Sequence, residues 1–136
     1  MTLHGKLQAA VSVALVGLSQ ILGGWTPAMT TLVTLVVLDF ISGFSRAAIQ
    51  QRLSSKESWQ GIGKKVLMFV IICLAAQVDG LLNANSVLRN ATVIFYCVSE
   101  SLSVIENVAA AGMPVPDFIK DALAQLSERK GKPPKE

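Results

Sequence analysis

The chain has 136 residues, of which 51% are hydrophobic and only 15% charged, and its mean hydropathy is +0.52. A soluble domain carries about 25% charged residues, so this composition cannot furnish the polar surface that a soluble fold needs. The net charge of +3 does not point to nucleic acid either, because the basic residues flank apolar segments and no aromatic residues are interleaved with them.

The first apolar stretch runs from about Leu7 to Leu22 and stops at Gly23-Gly24-Trp25-Thr26-Pro27. Glycine pairs and proline end helices, and Trp25 suits the headgroup level. No charged residue occurs between Leu7 and Leu38. Lys6 followed by Ala9 to Leu22 has the outline of a signal peptide, but Leu22-Gly23-Gly24 is a poor cleavage site. Met29 is the next methionine, and a start there would remove the whole first stretch.

The second stretch covers about residues 28–49, the third 66–82 and the fourth 91–111. A span needs roughly 20 residues, which the second and fourth supply, whereas the first and third are a little short. Between the second and third, Ser54 and Glu57 have capping-box spacing and predict a helix that leads through Trp59 into the membrane. Lys64 and Lys65 then stand where the third span enters, placed to reach the headgroups as membrane-interface basic residues. Asn83-Ala84-Asn85-Ser86 reads as a turn.

Beyond Gly112, the Met113-Pro114-Val115-Pro116 segment breaks the fourth helix. Val115, Phe118, Ile119, Ala122, Leu123 and Leu126 then form one apolar stripe on a helix too short and too charged to span. The expected fold is an all-α integral membrane protein with three to four transmembrane helices. It divides into a transmembrane domain over 1–112, an amphipathic interfacial helix over 113–128 and a charged flexible tail over 129–136. Counting Lys and Arg for four spans puts eleven on the side of both termini and only Arg89 on the other. That asymmetry places the C-terminus, and with it the N-terminus if the first stretch spans, in the cytoplasm.

The polar residues inside the apolar stretches are the candidate functional groups. Asp39 is followed by Ser42, Gly43 and Arg46 at i+3, i+4 and i+7, all on one helix face. The fourth stretch carries Ser99, Glu100, Ser103, Glu106 and Asn107 as a single polar stripe, with Tyr96 extending it by a turn. A carboxylate at the bilayer centre costs roughly 2.5–3.5 kcal/mol on insertion scales, so these groups must face protein, water or each other. The stripe either lines the lumen of an assembly, or pairs Glu100 and Glu106 with Arg46, Arg89 or backbone donors to hold one bundle together. Glu106 could also lie at the headgroup level. For Asp39, pairing with Arg46 or a serine is expected over lumen lining. Ser42-Gly43 with Ala47, and Ser99 with Ser103, suit close helix approach.

Nothing in the sequence calls for a cofactor or a metal. His4 stands alone, there is no C-x-x-C, and Cys73 and Cys97 lie inside apolar stretches as small hydrophobes. Gly61-Ile62-Gly63-Lys64 lacks the full spacing of a phosphate loop, and no histidine is placed to activate a nucleophile, so no enzyme is expected.

At Asp39-Phe40-Ile41-Ser42-Gly43 the chain resembles the Asp-aromatic-aliphatic-Ser/Thr-Gly signature of a phage holin family, which also includes holin-like proteins associated with clostridial toxin release. The resemblance continues through Leu53-Ser54-Ser55-Lys56, Gly61 with Lys64-Lys65, Ser99 to Asn107 and Gly112-Met113-Pro114-Val115-Pro116, covering about Leu35 to Leu126 in the family's order. It implies a homo-oligomer that opens lesions in the bacterial cytoplasmic membrane, through which a separately encoded endolysin reaches the cell wall, with no catalytic residues and no direct endolysin contact required. A holin-like export factor acting without lysis and a small proton-coupled transporter using Asp39, Glu100 and Glu106 are the alternatives.

Overall fold

The helices begin where a hydroxyl or a carboxylate can accept from the N–H groups that a first turn leaves without partners, or where a proline has no such N–H to satisfy. In the computed structural model, which describes residues 2–130, α1 (Leu3–Ile21) starts at Thr2, whose side chain accepts from the Gly5 N–H. Thr26 does the same for Met29 at the head of α2 (Pro27–Ile49), with Pro27 in the first turn. Ser54 accepts from Glu57 N–H at 3.4 Å to open α3 (Ser55–Leu82), as the capping-box spacing predicts. The head of α4 (Val87–Ala110) has no cap of its own. Asp79, one turn from the end of α3, supplies it by accepting from the N–H groups of Leu88 at 3.0 Å and Arg89 at 2.7 Å. A fifth helix, α5 (Asp117–Lys130), carries Asp117 in its first turn, where a negative charge suits the helix dipole.

The stops are equally local. Asn83, Asn85 and Ser86 take φ of 51°, 48° and 63°, making the turn between α3 and α4. Gly23 has φ +81° and lies so close to α3 that a Cβ there would sit 3.1 Å from the Ala76 methyl carbon, so both its backbone and its lack of a side chain are needed.

Three helices, α2, α3 and α4, are long and apolar enough to cross a membrane. At 1.5 Å per residue their 23, 28 and 24 residues give roughly 35, 42 and 36 Å, against a hydrocarbon core of about 30 Å. Their outward faces are apolar: Val37, Phe44, Leu67, Val70, Leu74 and Ile94 are all exposed. α1 also exposes apolar side chains, but it retains His4, Lys6, Gln8 and Gln20 and is not one of the three.

α4 is the central element and packs against α2, α3 and α5, while α1 touches α3. The apolar core is small and gathers toward the α3–α4 turn: Leu22, Met29, Leu32, Met68, Ile72 and Val93, flanked by Val36, Phe69, Tyr96 and both cysteines. Cys73 and Cys97 lie half-buried within this packing, and the Cys97 thiol donates to the Ala28 carbonyl.

Several boundaries differ from the sequence reading. α3 begins eleven residues before the apolar stretch at Val66, because the Ser54 cap and a run without proline let the helix form through polar sequence. α4 begins at Val87 and so takes Arg89 into its first turn. Residues 113–116 are not helical, since Gly112 at φ +85° and two prolines interrupt the chain before Asp117. α5 extends to Lys130, so the expected tail is helical at its first two residues, and the remainder of that segment lies outside the described residues.

Candidate functional site

The half of the bundle nearest the α2–α3 turn is polar inside. Asp39, Lys65 and Glu100, one from each spanning helix, meet there. The Lys65 ammonium lies 2.8 Å from Asp39 Oδ2 and also pairs with Glu100 Oε2. Positions 39, 65 and 100 each stand ten residues from the helix end on that side, at 49, 55 and 110. Ten residues of helix are roughly 15 Å, so the cluster sits about that far from the helix ends on that side. Asp39, Lys65 and Glu100 side chains are 17%, 18% and 12% exposed, which leaves them mostly removed from solvent. Charges this deep need partners, and one ammonium between two carboxylates provides them.

Asn107 completes the cluster. Its amide nitrogen donates to Asp39 Oδ1 at 2.9 Å and to Ser42 Oγ at 3.2 Å, while its amide oxygen accepts from Arg46 Nη1 at 3.2 Å. Gly43 lies directly against this amide, since a Cβ there would sit in ordinary contact, 3.4 Å from the Asn107 nitrogen. The i, i+3, i+4, i+7 face of α2 is therefore a cradle for one α4 side chain. Gln50 adds a bond to the Ala110 carbonyl at 3.0 Å one turn further on.

Beside the cluster, a groove of about 570 Å³ opens between α2, α3 and α4 at the α2–α3 turn. Asp39 and Lys65 stand on its wall, with Arg46, Arg52, Lys64 and Glu106 among its other polar residues. Ser103 also lines it, as does Asn107.

The residues singled out from sequence thus fall into distinct positions. Glu100 and Asn107 turn their polar atoms into the protomer, and Glu106 is exposed on the groove. Ser99 is half-buried on α4. The expected pairing of Asp39 with Arg46 gives way to Lys65, and Arg46 reaches Asp39 only through Asn107. Lys64 is exposed, whereas Lys65 is half-buried and paired with Asp39 and Glu100. Neighbouring helical residues point about 100° apart, so only one of the pair can look outward while the other meets α2 and α4. The helix run-in from Ser55 was the signal for this, since it places Lys65 ten residues inside α3.

Arg89 pairs with neither glutamate. It is 1% exposed at the opposite end of the bundle, where its guanidinium donates to the carbonyls of Leu22 (3.0 Å) and Gly24 and to Thr26 Oγ1 at 3.3 Å. One side chain thereby closes the end of α1 and ties the α1–α2 turn to α4. Gln77 of α3 adds a bond to the Ile21 carbonyl at 3.2 Å. Among the described residues no group of three or more His, Cys, Asp or Glu is placed to hold a metal.

Comparison with known proteins bears on this arrangement. An uncharacterized protein of Halalkalibacterium halodurans is 35% identical over 126 residues, covering 89% of this chain and 92% of its own length. An uncharacterized 14.9 kDa protein of Clostridium perfringens is 35% identical over 111 residues, 81% of this chain and 84% of that protein. A probable holin of Bacillus phage phi105 is 36% identical over 92 residues, 68% of each chain. No solved structure matches. The model of the bacteriophage holin family matches residues 16–128, which takes in the Asp39 cradle, Lys65 and the whole α4 stripe, and the chain belongs to that family.

Proposed function

We propose that the protein is a holin that assembles with copies of itself in the bacterial cytoplasmic membrane and opens lesions through which an endolysin passes to the cell wall. The observation that supports this reading most directly is the open polar groove in a protomer whose outward faces are apolar. Copies set side by side with their grooves facing one another would enclose a polar passage while keeping apolar side chains toward lipid. The Asp39–Lys65–Glu100 cluster would hold each protomer closed until assembly offers these charges water. The α2–α3 turn and α5 lie on the cytoplasmic side in this reading, since the basic residues outside the spans gather there and Arg89 alone lies at the other end.

Purified protein in liposomes loaded with a small dye and a folded protein of endolysin size tests the proposal. A holin releases both above a threshold protein density. Retention of both at every density would overturn the reading, and passage of a small solute with retention of dye would favour a carrier instead. Release of dye and protein in liposomes without lysis on expression in bacteria would mark a non-lytic export factor.

A further inference from the structure

The groove at the α2–α3 turn has a second chemical property, independent of whether it joins a lumen. Three cations stand at its mouth: Arg46, Arg52 and Lys64. Arg46 commits one guanidinium nitrogen to Asn107, and among the described residues the side chains of Arg52 and Lys64 have no ion-pair or hydrogen-bond partner. Lys65, at the deep end, is already held between Asp39 and Glu100. Asp39, Glu57 and Glu106 also line the groove, so with Lys65 its lining carries four positive charges against three negative ones. That surplus of one suits a singly charged anion better than a dianion. The rim is apolar: Phe40 and Phe44, one turn apart on α2, are 49% and 58% exposed, and Leu53 is 61% exposed. The groove opens at the α2–α3 turn, which joins the ends of two spanning helices.

We propose that this groove binds the phosphodiester of an anionic phospholipid, with Arg46, Arg52 and Lys64 around the phosphate and the acyl chains running along Phe40 and Phe44. Basic pockets between spanning helices near the membrane surface take anionic headgroups by this chemistry. A phosphodiester carries one charge and two attached acyl chains, matching both the surplus and the apolar rim, whereas free phosphate at neutral pH carries more charge and has nothing to place on the phenylalanines.

The full chain purified in detergent is titrated with short-chain phosphatidylglycerol, short-chain phosphatidylcholine or inorganic phosphate, reading thermal stability and bound adducts by native mass spectrometry. Phosphatidylglycerol is expected to raise the melting temperature and to be retained on the order of tenfold better than phosphatidylcholine. The Arg52→Gln/Lys64→Gln double variant, altered at two exposed positions without partners, is expected to melt at the wild-type temperature without lipid and to lose that preference. Equal retention of the two lipids by the wild type, or an unchanged preference in the double variant, would overturn the proposal. So would displacement of phosphatidylglycerol by millimolar inorganic phosphate, which would make this a free-phosphate site. None of these readouts depends on pore formation, so the proposed holin activity can fail while this site stands, or the reverse.

Discussion

The side-chain nitrogen of Asn107 lies 2.9 Å from Asp39 Oδ1, across the contact between α2 and α4. Gly43 packs beside that nitrogen, where an added Cβ would stand at ordinary contact distance. Hydrogen bonds between spanning helices contribute modestly, about 0.6 kcal/mol on average. Stranding a buried partner costs more, about 1–3 kcal/mol. Asn107→Leu is therefore expected to lower stability in detergent by an amount nearer the larger figure, since it leaves the part-buried Asp39 Oδ1 without its donor and presses a branched side chain toward Gly43. Thermal unfolding of the purified variant measures it. Unfolding at the wild-type temperature would mean that apolar packing alone sets the α2–α4 contact.

Lys65 is the sole cation in direct contact with two carboxylates among the described residues. Removing one member of a buried ion pair costs about 3–5 kcal/mol, whereas replacing every charge by neutral groups of similar size can cost little. Lys65→Met alone should therefore be strongly destabilising, and Lys65→Met combined with Asp39→Asn and Glu100→Gln should recover most of the loss. Denaturant unfolding of the single and triple variants decides this. If the triple variant is as unstable as the single one, the site is held by side-chain shape and not by charge balance.

Much of this architecture could be read from the residues. The cap at Ser54, the turn at Asn83 to Ser86 and the apolar spans follow from local rules that act within a few positions. The i, i+3, i+4, i+7 face of Asp39, Ser42, Gly43 and Arg46 was also visible as a face, but not its use, because its occupant comes from α4, more than sixty positions along the chain. The partners of Lys65 were hidden for the same reason. Lys64 and Lys65 look alike beside an apolar stretch, and only the helix phase set from Ser55, together with carboxylates on two other helices, separates an outward lysine from an inward one. Arg89 was legible as an isolated charge, yet its acceptors are carbonyls of the α1–α2 turn, and backbone carbonyls leave no mark in a sequence.

That role of Arg89 makes a prediction about α1. The guanidinium serves two carbonyls and a hydroxyl at once, at 1% exposure, which a single ammonium cannot reproduce. Arg89→Lys and Arg89→Met should both loosen the end of α1 while the middle of α4 stays protected. Hydrogen exchange in detergent should show faster exchange over residues 18–26, with little change around Val98. Unchanged exchange at the α1–α2 turn would mean that Gln77 and the glycine turn hold α1 without the arginine.

Glu106 and Glu100 allow stability and conduction to be separated. Glu100 is a buried partner of Lys65, so Glu100→Gln removes half of that lysine's compensation and should lower the melting temperature. Glu106 is exposed on the groove and has no partner among the described residues, so Glu106→Gln should change stability by no more than about 0.5 kcal/mol. If grooves from several copies face a common passage, Glu106→Gln should nevertheless shift the density at which liposomes release their contents, because it alters the charge lining that passage. Side-by-side melting and release measurements on the two variants test the distinction. A Glu106→Gln protein with wild-type melting and wild-type release would place this carboxylate outside the conducting path, whereas unchanged melting with altered release would put it on the wall.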